Sequence, residues 1–258
     1  MIYLDNGATS FPKPRQVTDA VLEAMTQYCA NPGRSSHFLA ARTAQEIYKT
    51  RAALALLLGL DDPGRILFTK NCTEALNLAL RGILRKGDHV VTSSMEHNAV
   101  LRPLKALEKE GVETTIVRCD PAGRLDPQKI RQAIRPETRM IVVTAASNVT
   151  GTIMPLEEVG RIALRQGVLF CVYGSPSCLE KTAVVACNLE GRSCEEVALA
   201  LNDRYGIAVR AGLHCSGMAH ETMGTQDVGC VRMCPGFYTS EAEIRQALEA
   251  VKEIAASK

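Results

Sequence analysis

The sequence has no tryptophan and only 4% aromatic residues, too few for the stacking platforms that bind single-stranded nucleic acid. It has no excess of one charge: 30 Lys plus Arg stand against 28 Asp plus Glu, a net of +2. No basic patch interleaved with aromatics occurs, so nucleic-acid binding is not expected. The opening residues, MIYLDNGATS, lack the basic stretch and apolar run of a secretory signal. No apolar run approaches the roughly 20 residues a membrane helix needs. The expectation is a cytoplasmic protein with no membrane contact. Glycine (19) and proline (11) are present at ordinary levels, which argues against long disorder.

Cysteine is more plentiful. Ten occur, at 29, 72, 119, 171, 178, 187, 194, 215, 230 and 234. No C-x-x-C pair is present, and Cys230-x-x-x-Cys234 alone does not make a zinc site. The reading is free thiols in a reducing compartment, with no metal ligands.

A chain of 258 residues, 46% hydrophobic, can bury one sizeable core or one large and one small domain. Helical periodicity covers 14–30 and 38–58, separated by the turn-rich NPGRSSH. Apolar, β-branched strands are then expected at 66–69, 89–94, 114–119, 140–147 and 168–172, with helices between them. Asp126-Pro127 makes a cap and first-turn pair for one of these helices. This rhythm predicts an α/β fold, a mostly parallel sheet flanked by helices. After residue 172 the pattern changes. Strands at 182–191, in GIAVRAG and in CVRMC alternate with helices opened by capping boxes at Ser193 and Ser240. The expected division is a large domain over 1–172 and a small α+β C-terminal domain over 173–258.

Three polar segments fall at strand carboxyl ends, where open α/β sheets bind ligands. KNCTEALN leads into a helix, so Cys72 and Thr73 mark a phosphate site built from helix-start amides and a hydroxyl, or an ordinary Thr N-cap. SMEHNAV places His97, and ASNVTG places Asn148 and Thr150. Further on, Arg210, His214 and Cys215 share a segment, and Arg232 follows in GCVRMC. Two arginines suit a small carboxylate-bearing substrate. A cationic, exposed loop favours a reactive thiolate at Cys215, while a buried inert thiol is the plain alternative.

These segments, collinear with YLDNGAT at the start and VRAGLHC and VRMCPGFYTS near the end, resemble the cysteine desulfurases. That family belongs to the class-V aminotransferases, which are pyridoxal-phosphate (PLP) enzymes of fold type I. The resemblance covers nearly the whole chain. It implies conversion of L-cysteine, or a similar amino acid, to L-alanine with sulfur left on the enzyme. It also implies PLP as cofactor, a sulfur-acceptor protein as partner, and a homodimer. It assigns the cofactor phosphate to Thr73, ring stacking to His97, the ring edge to Asn148 and the substrate carboxylate to Arg232, with Arg210 nearby. Cys215 becomes the nucleophile that takes the sulfur as a persulfide.

The resemblance breaks in the middle. After the strand at 168–172 the family has an aspartate for the pyridine nitrogen, and later the lysine that holds the cofactor covalently. Neither stretch has a counterpart, and Tyr173 stands about where the aspartate belongs. Lys70 and Lys181 are the lysines whose positions could substitute, or both are solvated surface groups. The large domain is therefore a truncated fold type I domain with strands missing, which leaves sheet edges to be covered. A non-catalytic relic and a PLP-independent sulfur carrier working through Cys215 stand beside the desulfurase as alternatives.

Overall fold

The computed structural model describes residues 1–33, 37–173 and 182–257. In chain order the elements are β1 (Ile2–Tyr3), α1 (Arg15–Glu23), α2 (Phe38–Leu57), α3 (Cys72–Ile83), β2 (His89–Ser93), α4 (Asn98–Glu108), β3 (Glu113–Val117), α5 (Pro127–Ala133) and β4 (Thr138–Thr144). They continue with α6 (Leu156–Gln166), β5 (Leu169–Tyr173), β6 (Val185–Cys187), α7 (Cys194–Tyr205), β7 (Ile207–Ala208), β8 (Arg210–Gly212), α8 (Gly217–Met223), β9 (Cys230–Met233) and α9 (Glu241–Ala256). By contacts the chain forms two units, one of residues 1–11 with 71–258 and one of residues 12–70.

In the first unit, β3-β2-β4-β5 form a four-stranded sheet in which every pairing is parallel. Its central strands carry apolar side chains on both faces, because helices cover both. Val90, Met140 and Val142 pack with Leu76, Leu80, Val100 and Leu104 of α3 and α4. Their neighbours Val91, Ile141 and Val143 point the other way, against Ile130, Val159 and Ala163 of α5 and α6. The period-2 alternation of the strands thus builds two cores from one sheet. The expected α/β class with a mostly parallel sheet is what the structure has.

The C-terminal segment is built differently. β6, β9 and β8 form an antiparallel sheet, and α7 and α9 pack near it. The first strand joins this part rather than the parallel sheet: β1 pairs with β7, and the Leu4 amide donates to Ala208 O at 2.8 Å. Ile2 and Leu4 enter the same apolar cluster as Val197, Leu201, Ile207, Val231 and Ile254. Among the described residues no strand pairs with the outer edge of β5.

Both capping boxes form: Ser193 with Glu196 opens α7, and Ser240 with Glu243 opens α9. Asp126 caps α5 through the Gln128 amide at 2.9 Å, with Pro127 in the first turn. Three expectations are corrected. The run at 66–69 is not a strand: Leu67 and Phe68 are exposed, and no described strand supplies a ladder. The segment around 206–220 is not only strand and loop, because α8 occupies Gly217–Met223; it is short and has no side-chain cap to announce it. Residues 14–30 do not form one regular helix, since α1 passes into a π-helical turn at Ala24–Tyr28.

The second unit holds α1, that turn and α2. Its Arg42 pairs with Glu23 at 2.7 Å and lies over the Tyr28 ring at 4.6 Å. His37 caps α2, its Nδ1 accepting from the Ala40 amide at 3.2 Å.

Candidate active site

Two of the parallel strands lead at their carboxyl ends into the site, β2 into the start of α4 and β4 into the turn at 145–151. The start of α3 follows the run at 66–69, so the segment KNCTEALN does not lie at a strand end as expected. At α3 the N-cap is Asn71, whose Oδ1 accepts from the Glu74 amide at 2.9 Å. Thr73 is therefore not the cap; it lies in the first turn with Cys72. The leading amides of a helix have no intrahelical acceptor, so this end carries partial positive charge.

At α4 the N-cap is His97, whose Nδ1 accepts from the Ala99 amide at 3.0 Å. Burial holds its pKa below the usual histidine value, and the charges of Arg102 and Arg210 push the same way. The ring is therefore kept neutral. The residue before it, Glu96, is fully buried. Its Oε1 accepts from the Ser93 hydroxyl and, at 3.1 Å, from the Thr144 amide, tying the His97 turn to the end of β4.

Thr73, Asn77, Arg81, His97, Arg102 and Cys215 line a cavity of about 370 Å³. The structure thus brings together three of the residues singled out from the sequence, from segments 24 to 142 positions apart. Among the described residues that line it, none is a lysine or a carboxylate.

Cys215 is exposed and, like His214, adopts a positive φ, 57° against 50°. Two consecutive non-glycine residues in this region are strained and need support from outside. Asn148 supplies it. Its Nδ2 donates to His214 O at 2.8 Å, and its Oδ1 accepts from Ser216 Oγ at 2.8 Å. The Asn98 amide donates to Cys215 O at 2.8 Å. Thr150 is used within its own turn, where its hydroxyl donates to Thr152 Oγ1 at 2.9 Å.

Arg232 is 2% exposed, and its guanidinium is already engaged. One nitrogen donates to Asp5 Oδ1 at 2.8 Å, and another to Asn148 O at 3.1 Å. Its Nε has no partner. Arg210 stands opposite Arg232 in the β8–β9 ladder. Sequence reading gave Asp5, Glu96 and Ser216 no role; their partners lie 227, 48 and 68 positions away, beyond any local signal. Tyr173 ends β5, and Lys181 lies outside the described residues.

An α/β layer that sets an anion-attracting helix start, a neutral histidine and an exposed thiol around one cavity has the architecture of a PLP-type transferase. The profile of the family Aminotransferase class-V matches residues 2–180 and 172–247, and the chain belongs to that family. Within it, the relatives are cysteine desulfurases. The chain is 33% identical over 261 residues to Cysteine desulfurase IscS of Methanosarcina thermophila, covering 95% of this chain and 64% of that one. It is 36% identical over 177 residues to a probable cysteine desulfurase of Methanothermobacter thermautotrophicus, covering 68% of this chain and 44% of the relative. The matched stretch thus spans less than half the length of that relative. The apo structure of the cysteine desulfurase from Thermococcus onnurineus NA1 superposes with a TM-score of 0.89 at 22% identity, covering 98% of this chain and 94% of that one. At that identity the likeness establishes the fold. No described helix is long and apolar enough to cross a membrane.

The family is PLP-dependent, and the site fits that group only in part. The α3 start and the Arg81 and Arg102 side chains suit a phosphate, and the neutral His97 suits an aromatic ring. The cavity wall offers no amine to hold an aldehyde and no carboxylate to pair with a ring nitrogen. The described cavity wall therefore does not fit covalent attachment of that group.

Proposed function

We propose that the chain is a cysteine desulfurase-type sulfur-transfer protein, with Cys215 as the thiol that bears sulfur from L-cysteine or a similar amino acid. The observation that carries this reading is the placement of an exposed Cys215 on the same cavity as Thr73 and His97. Thr73 and Cys72 are assigned to the cofactor phosphate, His97 to the ring face, and Asn148 and Thr150 to the cofactor-facing turn. Arg232 and Arg210 are assigned to the substrate carboxylate. Arg232 is buried, already bonds Asp5 and Asn148 O, and like Arg210 is not among the residues lining the cavity, so this assignment rests on the resemblance alone. A homodimer and a sulfur-acceptor protein are proposed from the family's habits. A domain boundary at 172/173 is proposed from the change from a parallel to an antiparallel sheet after β5, although by contacts residues 71–258 stay in one unit.

A second reading rests on one specific observation, the absence of lysine from the described cavity wall. In it, the chain carries sulfur without PLP. The Cys215 thiolate attacks the outer sulfur of a small persulfide, gains a persulfide, and releases the donor as its thiolate.

Purified protein incubated with L-cysteine and PLP, assayed for alanine and by peptide mass mapping, separates the two. Alanine together with a persulfide on Cys215, both lost in Cys215→Ser, supports the desulfurase. A persulfide on Cys215 from glutathione persulfide, without alanine and without a borohydride-trapped lysine, supports the carrier. No sulfur on Cys215 under either condition overturns both and leaves a relic.

A further inference from the structure

Behind the Cys215 loop, two histidines and a cysteine meet in the interior. His214, His220 and Cys230 are each buried, at 4%, 0% and 2% exposure. One donor atom from each lies within 4.8 Å of the other two. The three come from different places: the turn before α8, the body of α8, and the start of β9.

The hydrogen bonds fix how the rings present themselves. His214 Nε2 lies 3.1 Å from Cys230 O, and a carbonyl can only accept. Nε2 therefore carries the hydrogen, and Nδ1 is left as a bare lone pair. That atom is buried and has no partner. His220 Nδ1 lies 2.8 Å from Thr225 Oγ1, and its Nε2 is likewise buried and without a partner. Burial keeps both imidazoles neutral, His214 with a pKa lowered to about 4. Two orphaned nitrogens in an apolar interior are costly; His214 Nδ1 is a bare lone pair, and His220 Nε2 is one as well in the tautomer whose Nδ1–H donates to Thr225 Oγ1.

We propose that His214, His220 and Cys230 form a buried zinc site directly behind the loop that carries Cys215. A donor set of two imidazoles and one thiolate is a common one for Zn²⁺, with a small ligand such as water in the fourth position. Binding displaces the thiol proton of Cys230 to solvent and leaves two neutral imidazoles and one thiolate on the ion. Tetrahedral bond lengths place such donors roughly 3.3–3.6 Å apart, so a cluster whose donors lie within 4.8 Å of one another closes by about 1 Å at most on binding. The outer ring nitrogens are already oriented, by Cys230 O and by Thr225, as metal-bound histidines require. The nearby Arg232 charge is offset by Asp5. Because His214 precedes Cys215, an occupied site anchors the strained loop in addition to the bonds from Asn148. The proposal does not depend on the sulfur-transfer reading.

The test is metal analysis of untagged full-length protein, expressed with zinc and passed through gel filtration. About one zinc per chain is expected in the wild type and in Cys215→Ser, and a loss of most of it in Cys230→Ser. Co²⁺ titration of the apo protein should give a thiolate-to-cobalt charge-transfer band that Cys230→Ser lacks. If Cys230→Ser does not fold, Thr225→Val keeps all three donors and should weaken zinc by roughly 10–100-fold against a competing chelator. Wild-type protein without zinc, zinc retained equally by a folded Cys230→Ser, or unchanged affinity in Thr225→Val overturns the site.

Discussion

The side-chain amide of Asn148 holds the residues on both sides of Cys215, donating to the backbone O of His214 and accepting from the side-chain Oγ of Ser216. The residue expected at a cofactor's edge is thus also what keeps the thiol loop in a left-handed turn. Removing it costs two hydrogen bonds at about 1 kcal/mol each. Asn148→Ala should lower stability by about 2 kcal/mol in urea unfolding and change the rate of Cys215 alkylation. Asn148→Asp should be no better, because a carboxylate cannot donate to His214 O. Stability and alkylation rate both equal to wild type would show that the loop is held by other means.

Asp5 and Arg232 join the two ends of the chain in a largely buried ion pair. Removing one partner leaves the other charge without compensation, so Asp5→Ala should cost about 3 kcal/mol. The exposed Arg245–Glu241 pair on α9 is the internal control, and Arg245→Ala should change stability by less than about 0.5 kcal/mol. Equal effects of the two substitutions in denaturant titrations would count against a structural role for Asp5.

His89 is 1% exposed, with Thr138 Oγ1 at 2.7 Å and Thr115 Oγ1 at 2.8 Å from its ring nitrogens. Burial lowers its pKa, and Arg135 adds to the effect. The unfolded chain therefore binds a proton at this residue more readily than the folded one. Its contribution is complete above the unfolded value near 6.5 and is lost as pH falls toward the folded value. Stability should decline on acidification below about pH 6.5, and His89→Gln should flatten that part of the profile. An unaltered slope in His89→Gln places the acid sensitivity elsewhere.

The cysteines divide by accessibility. Cys29, Cys72 and Cys215 are exposed, while burial raises the pKa of Cys119, Cys171, Cys187 and Cys234. Brief treatment with iodoacetamide near neutral pH, followed by peptide mapping, should label the first three. The other four should react only after denaturation. Early labelling of Cys119 or Cys234 in the folded protein would contradict the packing around them.

Much of the fold is legible along the chain. The strand expected at 140–147, found at Thr138–Thr144, and the helix after Pro155 follow from apolar spacing alone, and Ser193, Ser240 and Asp126 mark helix starts because a cap is a contact within three residues. Thr73, His97 and Cys215 are recognisable as residue types at strand or loop ends. The run at 66–69 shows the limit. Its composition is that of a strand, but a strand exists only where another offers it hydrogen bonds, and none of the described ones does.

The sequence by itself determined the α/β rhythm, the helix starts marked by Ser193, Ser240 and Asp126, and the family, because those depend on neighbours a few positions away or on motifs in fixed order. Only the tertiary structure decided what Asn148, Asp5 and Arg232 hold, that β1 belongs with β7, and that His214, His220 and Cys230 meet. Those relations join residues far apart in the chain, and no local preference encodes them. They arise when the cores close and buried polar groups must find their partners among residues distant in the chain.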